Sequence, residues 1–352
     1  MVGWPDRRFI ELAGSEQPIV QAPMAGASGV ELCIAAIRGG ALGSLPCAML
    51  TPEAVVHQFA EVRSRIRGPV NLNFFCHNMP QDADESAWRA LLAPYYEEYE
   101  VEPARSLVLR RPFNHEMCLA VEHLKPDVVS FHFGLPEQAL LERVKKSGAV
   151  VLGNATTVEE ALRLEERGVD AVIAQGFEAG GHTGRFLGSA PEEAFGLFAL
   201  LPQVVDAVDV PVIAAGGIAD GRGVAAAFTL GASAVQLGTA YLHSPETPIS
   251  EVHRARLAGG RTLFTNLMTG GLARGIRGRL IDELGPVRSE APPYPLASNA
   301  LAPIRAAAEK AGEFGFGPMW AGQAAPLGHQ MSATDLTRKL CADALAILER
   351  RS

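Results

Sequence analysis

Residues 174–184 read AQGFEAGGHTG. An amide (Gln175), an acid (Glu178), two consecutive glycines (Gly180 and Gly181) and a histidine (His182) follow one another closely. A histidine titrates near neutral pH and can take or give a proton there. Glycines lack a Cβ, so the main chain beside His182 can come close to a bound molecule. Other short stretches carry related chemistry. VNLNFF at 70–75 holds Asn71 and Asn73 two positions apart, on one side of an extended chain. Those amides meet either a structural layer of neighbouring polar groups or a ligand with donors and acceptors. SFHFG at 130–134 sets His132 between two phenylalanines, as a satisfied core histidine or as a site residue. AAGGIAD at 214–220 and QLGT at 236–239 are turns that open helices, where exposed N–H groups and the positive helix end favour an anion. Gly216, Gly217, Gly238 and Thr239 would cradle a phosphate mainly through backbone donors, since no Lys or Arg follows until Arg222.

Each of these stretches closes a short apolar run. Eight such runs recur, at 19–22, 41–45, 70–75, 128–132, 150–154, 171–175, 212–215 and 234–237. Runs apolar almost throughout suit parallel strands covered on both faces. Helical stretches separate them. Residues 136–147 stop at Gly148, 157–167 start with Thr157 and an acid three positions on (Glu160) and stop at Gly168, and 220–230 stop at Gly231. These are ordinary helix start and stop signals, and the Thr157–Glu160 pair has the form of a capping box. Eight strand–helix units predict an α/β chain folded as a (β/α)8 TIM barrel, whose active site lies on the loops after the strands. A doubly wound sheet is the alternative, but no GxGxxG follows the first strand, as a dinucleotide-binding sheet would require. The gap between Phe75 and Val128 is too long for one connection and predicts an extra helix or lid. The expected organisation is a barrel over residues 1–246, a mostly helical subdomain over 247–318 closing its mouth, and a segment over 319–352 whose helix (334–350) packs back on the barrel.

Composition narrows the class of function. The 352 residues include 48% hydrophobic and 20% charged side chains, and the net charge is −8. Such a chain can bury a large core, and its acidity argues against a nucleic acid or an anionic membrane as partner. Five scattered cysteines without a CxxC pair point to a reducing, cytoplasmic setting and away from a disulfide framework. No leader is expected at the N-terminus, and no apolar run approaches the ~18 residues of a membrane span. A metal is not expected, because His132 and His182 lack a clear third ligand, Glu178 being the one candidate. A homodimer stays open.

Taken in order, these stretches resemble the nitronate monooxygenase family, formerly the 2-nitropropane dioxygenases. The matching pieces are QAPMAG at 21–26, VNLNFF, SFHFG, AQGFEAGGHTG, IAAGGIADGRG at 213–223 and AVQLGTAYL at 234–242. A looser match runs through the Arg-Gly stretch near Arg274 and WAGQ at 320–323. The resemblance implies a cytoplasmic FMN-dependent barrel that oxidises alkyl nitronates with O2 to carbonyl compounds and nitrite, with neutral nitroalkanes left open as substrates. By position, Asn73, Gln175, Gly180, Gly217, Gln236, Leu237, Gly238 and Thr239 match flavin-contacting residues, with Asn71, Gly181 and Gly216 beside them. The backbone of Ala22, Pro23 and Met24 would lie against the flavin ring. His182 matches the active-site histidine, holding the nitro group when protonated or removing an α-proton when neutral. His132 matches a second histidine. Tyr294 and Lys310 fall in a segment resembling one that contributes to the substrate pocket. The alternative is an FMN-dependent NAD(P)H reductase of the enoyl-acyl-carrier or quinone type.

Overall fold

The computed structural model describes residues 3–81, 84–103, 111–188, 193–259 and 261–350. In chain order its strands are β1 Ile19–Gln21, β2 Gly43–Pro46, β3 Val70–Phe75, β4 Val128–His132, β5 Val150–Ala155, β6 Ala171–Gln175, β7 Gly181–His182, β8 Val212–Ala215, β9 Ala234–Leu237, β10 Thr262–Thr265 and β11 Ala273–Ile276. Eight of them form one parallel sheet, ordered β1–β9–β8–β6–β5–β4–β3–β2. The two end strands also meet. The Leu42 N–H donates to Ile19 O at 2.9 Å, and the Gln21 N–H donates to Leu42 O at 3.0 Å. The sheet therefore closes, and the chain is a (β/α)8 barrel.

The barrel interior changes character along its axis. At the start of the strands it is hydrocarbon: Phe9, from the helix Arg8–Ala13, packs with Val20, Leu42, Val128, Leu152 and Ile213. Further along the strands, Gln21, Ser44, Asn71, Asn73, Ser130 and Asn154 are buried polar groups. Buried amides and hydroxyls must be hydrogen-bonded, so this end of the barrel is held by polar pairs. The last helix, Ala333–Glu349, packs against Gly221–Thr229 and Val30–Arg38 and completes the outer helical ring. Burial keeps the cysteines inert, pushing the thiols of Cys33 and Cys341 up to about 12. Among the described residues no helix is long and apolar enough to cross a membrane.

Thr157 caps the helix Val158–Glu166, its side chain accepting the Glu160 N–H. Glu160 itself departs from the capping-box expectation. Its fully buried carboxylate accepts from Thr156 N and Oγ1 and from the N–H groups of Phe186 and Leu187. The chain that leaves the 174–184 segment returns over this helix start, so its unpaired N–H groups take the carboxylate.

Among the described residues, the long connection after β3 holds two helices, Ser86–Glu98 and His115–Leu124. The first packs away from the barrel, against Arg279–Leu284 and Ala297–Lys310, around Trp88, Tyr95, Leu280, Ile304 and Phe316. Residues 247–318 also contain the antiparallel pair β10–β11, which the helical reading of this region did not include. The pair is stabilised by further pairing: β11 takes β7, the strand carrying His182, as its other neighbour.

Trp88 is fully buried and its Nε1–H donates to Ala297 O at 3.1 Å. Trp88→Ala should lower unfolding stability by about 3–5 kcal/mol, read from urea denaturation. The loss should fall on the transition reporting the 279–310 helices.

Candidate active site

Gln175 ends β6 and organises the loop after it. Its Oε1 accepts Asn154 Nδ2 at 3.1 Å and the Gly184 N–H at 2.7 Å, while its Nε2 donates to His182 O at 3.1 Å. The side chain predicted to face a ligand thus ties the ends of the His182 loop together. Gly184 is confined by this arrangement. A Cβ there would lie 2.7 Å from His132 Cε1 and closer still to the Asn154 amide nitrogen. Gly180 is confined on the other flank, where a Cβ would come within 2.6 Å of the Ala321 and Gly322 backbone. Between them His182 pairs with Ala273, and the Thr183 N–H donates to Leu272 O at 3.1 Å. Arg274 adds a second tie. Its guanidinium lies over both the Phe177 and Phe264 rings, 4.5 and 4.2 Å from their centroids, and its Nε donates to Phe177 O.

The His182 ring is fixed as well as its backbone. Its Nε2 is 2.8 Å from Thr269 Oγ1. Tyr294 and Trp320 meet it edge to face, with centroids 5.1 and 5.4 Å away, and Phe133 and Phe75 stand at 6.0 and 6.4 Å. Phe133 is in the left-handed backbone region (φ 65°), uncommon for a residue with a side chain. That turn brings its ring against His132, Phe75 and Tyr294, at 4.6, 5.2 and 5.3 Å. His77 completes the group, 4.8 Å from Tyr294.

His132 reaches the same loop from β4. Its Nε2 is 3.3 Å from His182 O, and a carbonyl can only accept, so Nε2 carries a proton. Burial holds the imidazole neutral, with its pKa pushed down to about 4 despite the partly opposing bond to the His182 carbonyl. His132 therefore braces His182 rather than presenting a charge.

The glycine turns lie on the neighbouring strands. Gly216 and Gly217 take φ of 110° and 69°, a region that strains any other residue. Gly238 faces Met24 and Ala22, to which a Cβ would come within 3.4 and 3.5 Å. Among the described residues, the N–H groups of Gly217 and Gly238 donate to no protein acceptor. Gln236 Oε1 is buried without a partner there. Thr239 Oγ1 accepts the Gly322 N–H at 2.9 Å. Glu178 is turned to another task, its carboxylate accepting the Leu197 N–H at the start of Leu197–Ala207.

The remaining expected residues divide between the mouth and elsewhere. Asn73 donates to Ser130 Oγ at 3.0 Å, and Asn71, deeper, donates to Ser44 Oγ at 3.0 Å. Gly181 lies in β7, Leu237 ends β9, and Pro23 lies in the loop after β1. Tyr294 joins the His182 cluster, whereas Lys310 is exposed at the end of its helix and no hydrogen bond or ion pair among the described residues brings it there. A separate cleft lined by Thr156, Phe177, Thr183, Arg185 and Phe264 shares Gln175 with this cluster but brings no histidine to it. His77 and Thr269 were missed from sequence. His77 falls two residues past β3, at the position where a barrel places site residues. Thr269 begins a Thr-Gly-Gly turn between strands that sequence periodicity did not reveal.

The family profile described as nitronate monooxygenase matches residues 6–343. A nitronate monooxygenase from Paraburkholderia phytofirmans is 41% identical over 344 residues, which cover 95% of this chain and 94% of the relative. One from Pseudomonas aeruginosa is 39% identical over 343 residues, covering 95% of this chain and 97% of the relative. The solved structure of the nitroalkane oxidase from Streptomyces ansochromogenes is similar with a TM-score of 0.90 and 34% identity, covering 98% of this chain and all (100%) of that one.

Two outcomes follow from the loop and its brace. Gly184→Ala should leave global unfolding largely intact but lower kcat/KM at least roughly 100-fold, because displacing His182 by an ångström is enough to do so. The unfolded His132 titrates near 6.5 and the folded one near 4, so the unfolded chain binds more protons between those values and stability falls as pH drops through them. His132→Gln should remove roughly 2 kcal/mol of the loss between pH 7 and pH 5, read from urea unfolding at the two pH values.

Proposed function

The chain belongs to the nitronate monooxygenase family, and on that premise we propose that it oxidises alkyl nitronates with O2 to a carbonyl compound and nitrite, using FMN at the mouth of the barrel. The residues present fit that group. The Gly217 and Gly238 N–H groups and the Thr239 hydroxyl offer donors to a phosphate. The glycine conformations keep side chains out of its approach. Gln236 Oε1 and Asn73 offer polar partners to a ring edge, and Ala22 and Met24 offer an apolar face. When bound, FMN would supply the redox chemistry, the transfer of electrons from nitronate to oxygen.

The other tasks fall to side chains. His182 donates an N–H to the anionic nitro group and so orients the carbon that loses electrons. Phe133, Tyr294 and Trp320 exclude water around it, which strengthens that bond by lowering the local dielectric. His132 and Gln175 hold the His182 carbonyl and act by positioning. The observation that carries the reading is this convergence: a histidine fixed in backbone and ring, inside an aromatic cage, beside a glycine cradle with unused donors.

His182→Asn should retain bound FMN and lose roughly 100-fold or more in nitronate turnover; wild-type turnover would remove His182 from the site. Gly217→Val should instead lower the FMN content of purified protein, and an unchanged content would count against the cradle. Mixed without oxygen, a nitronate should bleach the yellow flavin. Bleaching by NADH or NADPH but not by a nitronate would make the protein a reductase.

A further inference from the structure

We propose that Thr269 is the positioning residue that decides which nitrogen of His182 carries the proton, and that its hydroxyl rotates to follow each change in the protonation of that ring. This deepens the reading of His182 as the proton-bearing group at the nitronate and rests on it.

The argument is one of counting protons. A threonine hydroxyl has one proton to give and two lone pairs to accept with. Thr269 is almost fully buried (2% exposed), so its bonds must be met inside the protein. Three groups surround its Oγ1: His182 Nε2 at 2.8 Å, the Gly271 N–H at 3.3 Å and the Gly271 carbonyl at 3.5 Å. The Gly271 N–H can only donate, and it occupies one lone pair. The hydroxyl proton then has two acceptors to choose from, the imidazole nitrogen or the carbonyl. The carbonyl lies at the outer limit of a hydrogen bond, and the imidazole nitrogen is at an ordinary distance. With His182 neutral, the hydroxyl donates to Nε2, which puts the ring proton on Nδ1. With His182 protonated, Nε2–H donates to Thr269, and the hydroxyl turns to the Gly271 carbonyl. Both states are satisfied by rotation about one C–O bond.

The rest of the site requires such a device. The His182 backbone is held by Gln175, His132 and β11, and its ring by Phe133, Tyr294 and Trp320. A ring so confined cannot flip to present a different nitrogen when it gains or loses a proton. The partner must therefore change its own role from donor to acceptor, which a hydroxyl can do and an amide N–H or a carbonyl cannot. Among the described residues, the titratable groups packed around the ring include Tyr294 and, behind it and the Phe133 ring, His77 and His132. His132 donates through its own Nε2 to the His182 carbonyl, not to the His182 ring.

The test is nitrogen NMR on the flavin-loaded, full-length protein with 15N-labelled histidine, the His182 signals being those lost in His182→Asn. Above the pKa of His182, the wild type should show a protonated Nδ1 and an unprotonated Nε2. A proton on Nε2, or an even mixture of tautomers, would overturn the assignment whatever the variants do. In Thr269→Val, which keeps the shape and removes the hydroxyl, both tautomers should be populated. The kcat/KM for a nitronate should fall roughly tenfold, the loss of about one hydrogen bond, at unchanged flavin content. The ionisation of His182 should move to lower pH, because the imidazolium loses the acceptor at its Nε2. Thr269→Ser should restore the single tautomer, the rate and the pH profile. A single Nδ1–H tautomer persisting in Thr269→Val would overturn the proposal. The wild-type spectrum decides the tautomer even should Thr269→Val fail to fold. It is also independent of the functional reading: full turnover by His182→Asn with an Nδ1–H wild type sinks the function and leaves the Thr269 assignment standing.

Discussion

The carbonyl oxygen of His182 accepts hydrogen bonds from two side chains, Gln175 of β6 and His132 of β4, and the barrel mouth is organised around that one atom. Both donors come from strand ends that the closed barrel holds at fixed separation. With both engaged, the peptide plane after His182 has little freedom to rotate, and the direction of its ring is set. The price is local and visible in Gly184, whose backbone must pass where a Cβ would strike His132 and Asn154. The same constraint explains why His132 is neutral. A charged imidazolium at that depth would lack compensation, and one N–H is all the carbonyl needs.

The barrel supplies only half of the clamp. The other half is β11, which pairs with Gly181–His182, and Arg274, which lies over Phe177 and Phe264 while donating to Phe177 O. The hydrophobic cluster that the inserted helix Ser86–Glu98 forms with the helices of residues 279–310 reaches this clamp through Leu263 of β10 and Trp320, which pack against it. A helix inserted after β3 thus supports a loop that follows β6. The left-handed backbone at Phe133 belongs to the same construction. Such a conformation costs on the order of 1–3 kcal/mol, offset here by the ring contacts it allows with His132, Phe75 and Tyr294.

The parts of this arrangement that depend on local chemistry were legible in the sequence. The eight apolar runs pointed to the barrel because strands covered on both faces are apolar almost throughout. The turn glycines at 216 and 217 were readable because positive φ demands them. Residues whose roles arise from tertiary approach were not. Gln175 read as a ligand contact, yet its amide bonds Asn154, Gly184 and His182, none of them predictable partners from spacing. Glu160 read as a capping residue, yet the return of Phe186 and Leu187 gave its carboxylate other donors. Thr269 was invisible because β10 and β11 are short, and their pairing with β7 exists only once the barrel has presented that segment.

The most direct test of the account is the structure of the flavin-loaded protein with an unreactive carboxylate analogue of a nitronate bound. The account predicts that the analogue's carboxylate lies within hydrogen-bonding distance of the His182 ring, inside the enclosure of Phe133, Tyr294 and Trp320, with the flavin phosphate on the Gly217 and Gly238 N–H groups. An analogue bound outside that enclosure, with His182 making no contact to it, would contradict the account.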